Sequence, residues 1–308
     1  MSPHLRSCDH SAFPPERVRA ERDGTISVCV PTRDCAETIA PIIQTLMGLR
    51  EAGVVDQVAV LDAGSADATA ELAAANGAEV HQQAELLPDQ GPVLGKGDAM
   101  WRALTLLRGD VVCFLDGDSE GFGPHFACGL AGAVACEPGV EFAKAFYRRP
   151  FRAGPVELPE GGGRVNELTA RPLLRQFFPE LADVRQPLAG EIAARRDLLE
   201  RLPFATGYAV EIAMLIDAYR EVGLDGLAQV DLDVRQNRHQ PLDELVPMAY
   251  AVLRAVTDRL ESEGRLEASA VPPLLSGPVG AEQSRSVRIE QRPPMASVRR
   301  ARGGKTPA

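Results

Sequence analysis

From residue 25 the chain alternates between two hydrophobic periods, and this alternation constrains its fold more than any other feature. "TISVCVP" is an apolar run of strand length, and "ETIAPIIQTLMGLREAG" then carries helical spacing to Gly53. "DQVAVLDAGSADAT" repeats the pattern as a strand, a Gly/Ser/Asp loop and a helix through "ELAAANG". "GDAMWRALTLLRGD" is helical and "VVCFLDGD" is a third strong strand. Short apolar strands separated by helices of about 10–15 residues indicate βαβ units and a mainly parallel, Rossmann-like α/β sheet with helices on both faces. Ligands of such sheets bind outside the carboxyl ends of the strands, and those ends carry Pro31, Asp62 and Asp116.

The second half changes character. "LPEGGGRVNELTARPLL" opens on a glycine loop and becomes helical, "GYAVEIAMLIDAYREVG" is a strongly apolar helix, "LAQVDLDVRQ" is a strand, and "PLDELVPMAYAVLRAVTDRLESEG" is a long amphipathic helix. The organisation expected is a loose polar arm over 1–24, a first lobe over 25–150, a second lobe over 151–264 sharing its core, and a mobile Pro/Ser/Arg-rich tail over 265–308. "SVRIEQ" is a short strand within that tail. With 33 basic against 43 acidic residues the net charge is −10, which argues against general affinity for nucleic acid or anionic membrane. The sequence holds no run of about 18 apolar residues, so nothing in it is expected to span a bilayer. The N-terminus lacks the apolar core of a signal peptide. Six cysteines without a C-x-x-C pair read as reduced thiols in a cytoplasmic protein without structural zinc.

Several stretches could carry chemistry. Asp116 and Asp118 project to the same side of an extended chain, and Gly117 between them leaves room for a ligand to approach the backbone. Two hard oxygen ligands suit Mg2+ or Mn2+ shared with a nucleotide diphosphate, although a solvated strand end would also read D-x-D. "GPVLGKGDAM" fails as a phosphate loop, because three residues separate Gly91 from Gly95 and Gly97 follows Lys96. What remains is a glycine-flanked lysine entering a helix, suited to an anion or simply to water. No G-x-G-x-x-G follows the first strand, which disfavours a dinucleotide-dependent dehydrogenase. In "EGGGRVNEL" three glycines permit close backbone approach and Arg164 suits a phosphate or carboxylate; a flexible surface loop would read the same way. Glu211 shares the apolar helix face with Met214, Leu215, Ala218 and Val222, where a carboxylate needs a partner or a polar cavity. Arg238 and His239, after the last strand, are candidates for anion or metal contact.

Taken together, "YRRP" (147–150), "GGGRVNELTARPLL" (161–174), "QPLAGEIAARRDLL" (186–199), "LPFATGYAVEIAMLID" (202–217) and "AQVDLDVR" (228–235), placed after the D-x-D strand, resemble the glucosyl-3-phosphoglycerate synthases. These are retaining glycosyltransferases of the GT-A fold, and the similarity covers most of residues 25–260. The resemblance implies that Pro31, Thr32 and Ser65 hold the base and ribose, that Lys96 lies near the diphosphate, and that Asp118, with Asp116, binds the metal. It places Tyr208 and Glu211 around the donor sugar, with Gly117 in the same donor frame, and the Leu188 carbonyl near the reacting centre. It places Gly163, Arg164, Val165 and Asn166 in the acceptor loop. It further implies a homodimer, to which "SVRIEQRPPM" could contribute. Retention implies a same-face substitution assisted by the leaving phosphate; a covalent adduct on Glu211 is the alternative.

The departures from the family pattern are local. A glutamate of the base-binding loop is missing near Cys35, and Asn166 stands where threonine is usual. After the last strand the family reads V-R-x-H-x-N-R-P-L against "VRQNRHQPL" here. Asn237 thus replaces the metal-binding histidine, which His239 could replace functionally, and Gln240 replaces an arginine. Losing that arginine removes a contact worth roughly 1.5–3 kcal/mol. The expectation is therefore a metal-dependent retaining glycosyltransferase, using UDP-glucose or a GDP-sugar, that has moved to another small polar acceptor, as in a natural-product pathway. The alternatives are an authentic glucosyl-3-phosphoglycerate synthase and a non-catalytic sugar-nucleotide-binding protein. A sugar-nucleotide pyrophosphorylase is disfavoured because "CVPTRDCAE" contains no glycine.

Overall fold

The computed structural model describes residues 4–153, 156–158, 161–236, 241–267 and 289–302. The elements in chain order are β1 (Arg6–Asp9), α1 (Pro15–Glu21), β2 (Ile26–Thr32), α2 (Ile39–Glu51), β3 (Gln57–Asp62), α3 (Thr69–Ala75), β4 (Glu79–Gln82), α4 (Lys96–Ala103), β5 (Val111–Phe114), α5 (Pro124–Cys136) and β6 (Phe142–Arg148). They continue with β7 (Phe151–Ala153), β8 (Val156–Leu158), α6 (Arg171–Phe177), β9 (Ile192–Arg195), α7 (Arg196–Arg201), β10 (Phe204–Ala205), α8 (Val210–Val222), β11 (Leu227–Val234), α9 (Leu242–Ser262), β12 (Gln291–Arg292) and α10 (Met295–Ala301).

Eight strands form one sheet in the order β1-β11-β6-β9-β5-β2-β3-β4. All neighbours are parallel except β9, which runs antiparallel to both β5 and β6. Strands β2, β3 and β5 are buried on both faces, which explains their continuous apolar runs. One face packs against α1, α2 and α5 through residues such as Val18, Ile43 and Phe126; the other packs against α4, α8 and α9 through Trp101, Ile212 and Val256. Strands β9 and β11 bring residues beyond 150 into the same sheet as the first βαβ units. The result is the mainly parallel α/β sheet, with helices on both faces, that the alternation of strands and helices predicts. Among the described residues no helix is long and apolar enough to cross a membrane.

Two segments differ from the sequence expectation. Residues 4–24 do not form a loose arm: β1 pairs in parallel with β11, and α1 packs beside α5. The reason lies in Phe13 and Val18, both fully buried where Gly132 of α5 leaves space; a Cβ on Gly132 would lie 2.8 Å from the Phe13 Cβ. The described part of the tail is ordered too. Strand β12 pairs antiparallel with β10, and Met295 is buried. Asp217 of α8 is buried too, because α9 covers that helix and supplies Arg259 to its carboxylate.

Candidate active site

The carboxyl ends of β2, β3 and β5 meet at one edge of the sheet, where two adjoining cavities open. The first, about 470 Å3, is lined by Pro31, Thr32, Cys35, Gln83, Gly95 and Gly117; the second, about 320 Å3, by Arg149, Gly163, Arg164, Val165, Asn166, Leu188, Gly190, Glu211 and Arg235. Lys96, Asp116, Asp118 and Tyr208 line both. The shared residues mark the seam where two bound molecules would meet.

The wall of the first cavity is built by hydrogen bonds at strand ends. Asp62, buried at the end of β3, accepts from the backbone N–H groups of Gly64 and Ser65, each at 3.0 Å, and from the Ser65 hydroxyl. Burial would raise its pKa, but these donors, with Ser65 foremost, hold it below the usual carboxylate range. Ser65 also accepts from the Asp34 N–H at 2.9 Å. Its hydroxyl is therefore committed to the loop: Ser65 supports the cavity but does not line it. Gly117 has a packing reason beyond ligand access, since a Cβ there would lie 2.8 Å from the Thr32 methyl.

At the seam, opposite charges interlock. Lys96, the first residue of α4, lies 2.5 Å from Asp116 Oδ1 and 3.1 Å from Glu211 Oε1. Glu211 sits in the first turn of α8, where the helix dipole favours a carboxylate. Burial pulls the Lys96 ammonium down, yet Asp116 and Glu211 outweigh it and the net shift is upward. Burial likewise pushes Asp116 up, but Lys96 and Arg235 hold it well below the usual range. Arg235, just beyond β11 and nearly inaccessible, reaches Asp116 Oδ2 at 3.0 Å, Asp118 Oδ1 at 2.7 Å and Glu191 Oε1 at 2.8 Å. Glu191 is fully buried, and the Tyr147 hydroxyl donates to it at 2.9 Å. Burial raises the Glu191 carboxyl despite the opposing pull of Arg235.

The acceptor-loop residues are tied to the same place by Asn166. A π-helical turn over Asn166–Ala170 starts there, a local widening common at functional sites. The Asn166 amide oxygen accepts from the Leu188 N–H at 3.3 Å, and its nitrogen donates to the Arg185 carbonyl, also at 3.3 Å. The structure thus gathers Pro31, Thr32, Lys96, Asp116, Gly117, Asp118, Gly163, Arg164, Val165, Asn166, Leu188, Tyr208 and Glu211 around two joined cavities. Asn237 and His239, with Arg238 and Gln240, lie outside the described residues.

Sequence reasoning missed Arg235, Glu191, Gly190 and Lys144. Arg235 and Glu191 stood in quoted blocks, and their signal was a charge next to an apolar strand, much as Glu211 stood out on an apolar helix face. Gly190 leaves no room for a side chain: a Cβ would fall 2.3 Å from Asp116 Oδ2 and 2.4 Å from Lys96 Nζ. Lys144 on β6 is buried and donates to the Ala189 carbonyl at 2.8 Å; burial lowers its ammonium to about 8, although Glu211 pulls the other way.

Residues 27–121 match the Glycosyl transferase family 2 profile. The glucosyl-3-phosphoglycerate synthase of Mycolicibacterium smegmatis is 40% identical over 303 residues, spanning 96% of this chain and 99% of that protein. The chain belongs to the glucosyl-3-phosphoglycerate synthase family. Among solved structures, the mannosyl-3-phosphoglycerate synthase of Rubrobacter xylanophilus superposes with a TM-score of 0.85 at 45% identity, covering 95% of this chain and 96% of that one. The Mycobacterium tuberculosis glucosyl-3-phosphoglycerate synthase, in complex with Mn2+, UDP-glucose and phosphoglyceric acid, gives 0.82 at 40% identity, covering 96% and 99%. The chain is a glycosyltransferase. Its two strand-end aspartates fit a hard divalent ion: Asp116 faces both cavities, and Asp118 is 58% exposed toward them. Among the described residues no group of three or more His, Cys, Asp or Glu side chains forms a metal cluster, so two carboxylates are what these residues contribute.

Proposed function

We propose that this enzyme transfers glucose from UDP-glucose to 3-phosphoglycerate, with retention at the anomeric carbon and with Mn2+ or Mg2+ as cofactor. The observation that carries the reading is the second cavity, where Arg149, Arg164 and Arg235 gather around the lysine–aspartate seam of a chain whose net charge is −10. Such a cavity suits a small acceptor bearing phosphate and carboxylate. Both the glucosyl and the mannosyl relatives carry 3-phosphoglycerate in their names, which supports the same acceptor here. A different, natural-product acceptor was expected from the departures at Asn166 and in residues 237–240, and these comparisons support it less well.

In this reading the first cavity holds the nucleotide, with Pro31 and Thr32 beside the base and ribose and Tyr208 near the sugar. Asp116 and Asp118 would hold the metal, which when bound supplies positive charge to the diphosphate. The bond between the anomeric carbon and the diphosphate oxygen breaks while the acceptor oxygen attacks from the same face. The acceptor proton passes to the departing phosphate oxygen, and UDP leaves. Lys96 stabilises the charge that develops on the leaving group, the largest kind of contribution at such sites. Glu211, ion-paired to Lys96, orients that ammonium, an arrangement that disfavours its use as a nucleophile. Asn166 accepts from the Leu188 N–H, and Leu188 lines the second cavity beside the seam. All six cysteines are free, which supports a reducing compartment such as the cytoplasm.

The 45% identity to the mannosyl synthase favours one second reading, a mannosyl donor on the same acceptor. The test is a mass-spectrometric assay of purified protein with 3-phosphoglycerate, Mn2+ or Mg2+, and UDP-glucose or GDP-mannose in parallel. A phosphorylated glucoside formed faster from UDP-glucose supports the proposal, and product from GDP-mannose alone moves it to the second reading. Donor hydrolysis or transfer to other acceptors, without a phosphoglycerate product, refutes the acceptor assignment.

A further inference from the structure

Arg235 occupies an unusual position for a cation beside metal-ligand candidates. Its guanidinium spans Asp116 and Asp118 on the side facing the cavities, while Glu191 and Tyr147 hold it from behind. The back partners are buried and fixed, whereas Asp118 is largely exposed. Among the described residues the Arg235 Nε has no hydrogen-bond partner, so these hold the group mainly through its two terminal nitrogens. Around it, Lys96, Arg235 and Lys144 face Asp116, Asp118, Glu191 and Glu211, leaving one net negative charge when all are ionised. A divalent ion reverses that sign, and a diphosphate restores it.

We propose that Arg235 is a built-in competitor for the metal: it ties up Asp118 in the nucleotide-free protein and yields it when a diphosphate arrives, so that metal and nucleotide bind cooperatively. The proposal rests on the metal-dependent reading above. Its physical basis is that a carboxylate already neutralised by a charge-assisted pair gains little from a second cation. A diphosphate gives the guanidinium other oxygens to face and frees Asp118 for the metal. Because linkage is reciprocal, the factor by which UDP tightens Mn2+ binding equals the factor by which Mn2+ tightens UDP.

The experiment is an electron paramagnetic resonance titration of free Mn2+ with the full-length protein, with and without UDP. The informative variant is Glu191→Gln with Arg235→Gln, which removes one negative and one positive charge together. Any change in affinity then reflects release of Asp118 rather than net charge. Relative to wild type, the double variant is expected to bind Mn2+ about tenfold or more tightly without UDP, and UDP should enhance that binding correspondingly less. Circular dichroism melting confirms its fold. If it does not fold, Arg235→Lys serves, because an ammonium cannot span both aspartates and Glu191 in one geometry; nucleotide-free Mn2+ binding should again tighten. Unchanged or weaker nucleotide-free binding in the folded variant, or an unchanged UDP effect, overturns the proposal. Absence of Mn2+ binding to wild type even with UDP overturns the metal-dependent reading itself, and the proposal with it.

Discussion

The C-terminal segment offers a prediction that neither cavity lining nor family likeness would raise. Asp98 is fully buried in α4, two residues after Lys96, and holds three donors: Arg102 Nε at 3.2 Å, the Leu94 N–H at 2.8 Å, and Arg292 of β12 through Nε at 2.9 Å and Nη2 at 2.8 Å. Arg292 also donates to the Gln90 and Pro92 carbonyls and stacks on Trp101, whose indole N–H reaches the Pro293 carbonyl at 2.8 Å. The tail therefore clamps the loop that ends at Gly95, in the wall of the first cavity. Arg292→Ala leaves the buried Asp98 with one cation. A fully orphaned buried charge costs about 3–5 kcal/mol, and with Arg102 still in place the loss should be about 2–3 kcal/mol. For a chain of this size that lowers Tm by roughly 3–5 °C. The loosened loop should also raise the donor KM severalfold while kcat falls little, because Lys96 keeps Asp116 and Glu211. Differential scanning fluorimetry and initial-rate kinetics read both effects, and a double-mutant cycle with Asp98→Asn should give a coupling above about 1 kcal/mol. A Tm within a degree of wild type together with an unchanged donor KM would refute the clamp.

Other perturbations test the seam. Lys96→Met should lower kcat by about 10²–10³, the loss typical when one donor to a developing charge is removed, with a smaller change in acceptor KM; an equal rise in both KM values with kcat intact would contradict its assigned role. Gly190→Ala places a methyl 2.3 Å from Asp116 Oδ2, so the carboxylate must move. Turnover should fall at least tenfold, measurable at saturating donor and Mn2+, while a fully active Gly190→Ala enzyme would mean that this cradle is not needed. Lys144 gives a pH signature. Its folded-state value of about 8 lies below the ordinary 10.5, so between those values the unfolded chain binds the extra proton and this group makes stability rise with pH. In urea melts at pH 8 and 10, Lys144→Met should lose that increment relative to wild type; parallel pH dependence of the two proteins would show that Lys144 does not carry it.

What the sequence made legible was whatever is encoded within a single element. Strands β2, β3 and β5 are apolar throughout because both faces are buried, and α8 and α9 carry clear helical periods; each was readable. Strand β9 was not. Its "IAAR" is short, and its placement between β5 and β6, antiparallel to both, depends on long-range pairing that no local pattern announces. The arm failed for a related reason. Phe13 and Val18 are two apolar residues in a polar stretch, and only the space left by Gly132 on a distant helix shows where they go. At the site, Asp116, Asp118 and Glu211 were legible because carboxylates on apolar elements are costly. Ser65 fell beside the cavity rather than in it, because its hydroxyl is claimed by Asp62 and Asp34.

The expected change of acceptor rested mainly on a single loop. The substitution of Gln240 for arginine was weighed as one lost charge-assisted contact, roughly 1.5–3 kcal/mol, against a site of unknown total charge. The folded chain brings Arg149 from the end of β6, Arg164 from the glycine-rich loop and Arg235 from the end of β11 to one cavity. Under the proposed function, recognition of a small phosphorylated acid by several cations is redundant, so losing one costs affinity before it costs identity. Asn166 makes the same point in geometry. In place of the usual threonine it holds the Leu188 N–H and the Arg185 carbonyl with the two ends of its amide, a link between acceptor loop and reacting centre that a hydroxyl would have to make through one atom. Asn166→Thr should therefore be mild: a twofold to fivefold change in acceptor KM, with kcat nearly unchanged. Loss of turnover by a factor of about 100 would show instead that the amide bridge is what aligns Leu188, and that the departure at this position had been compensated elsewhere in the site.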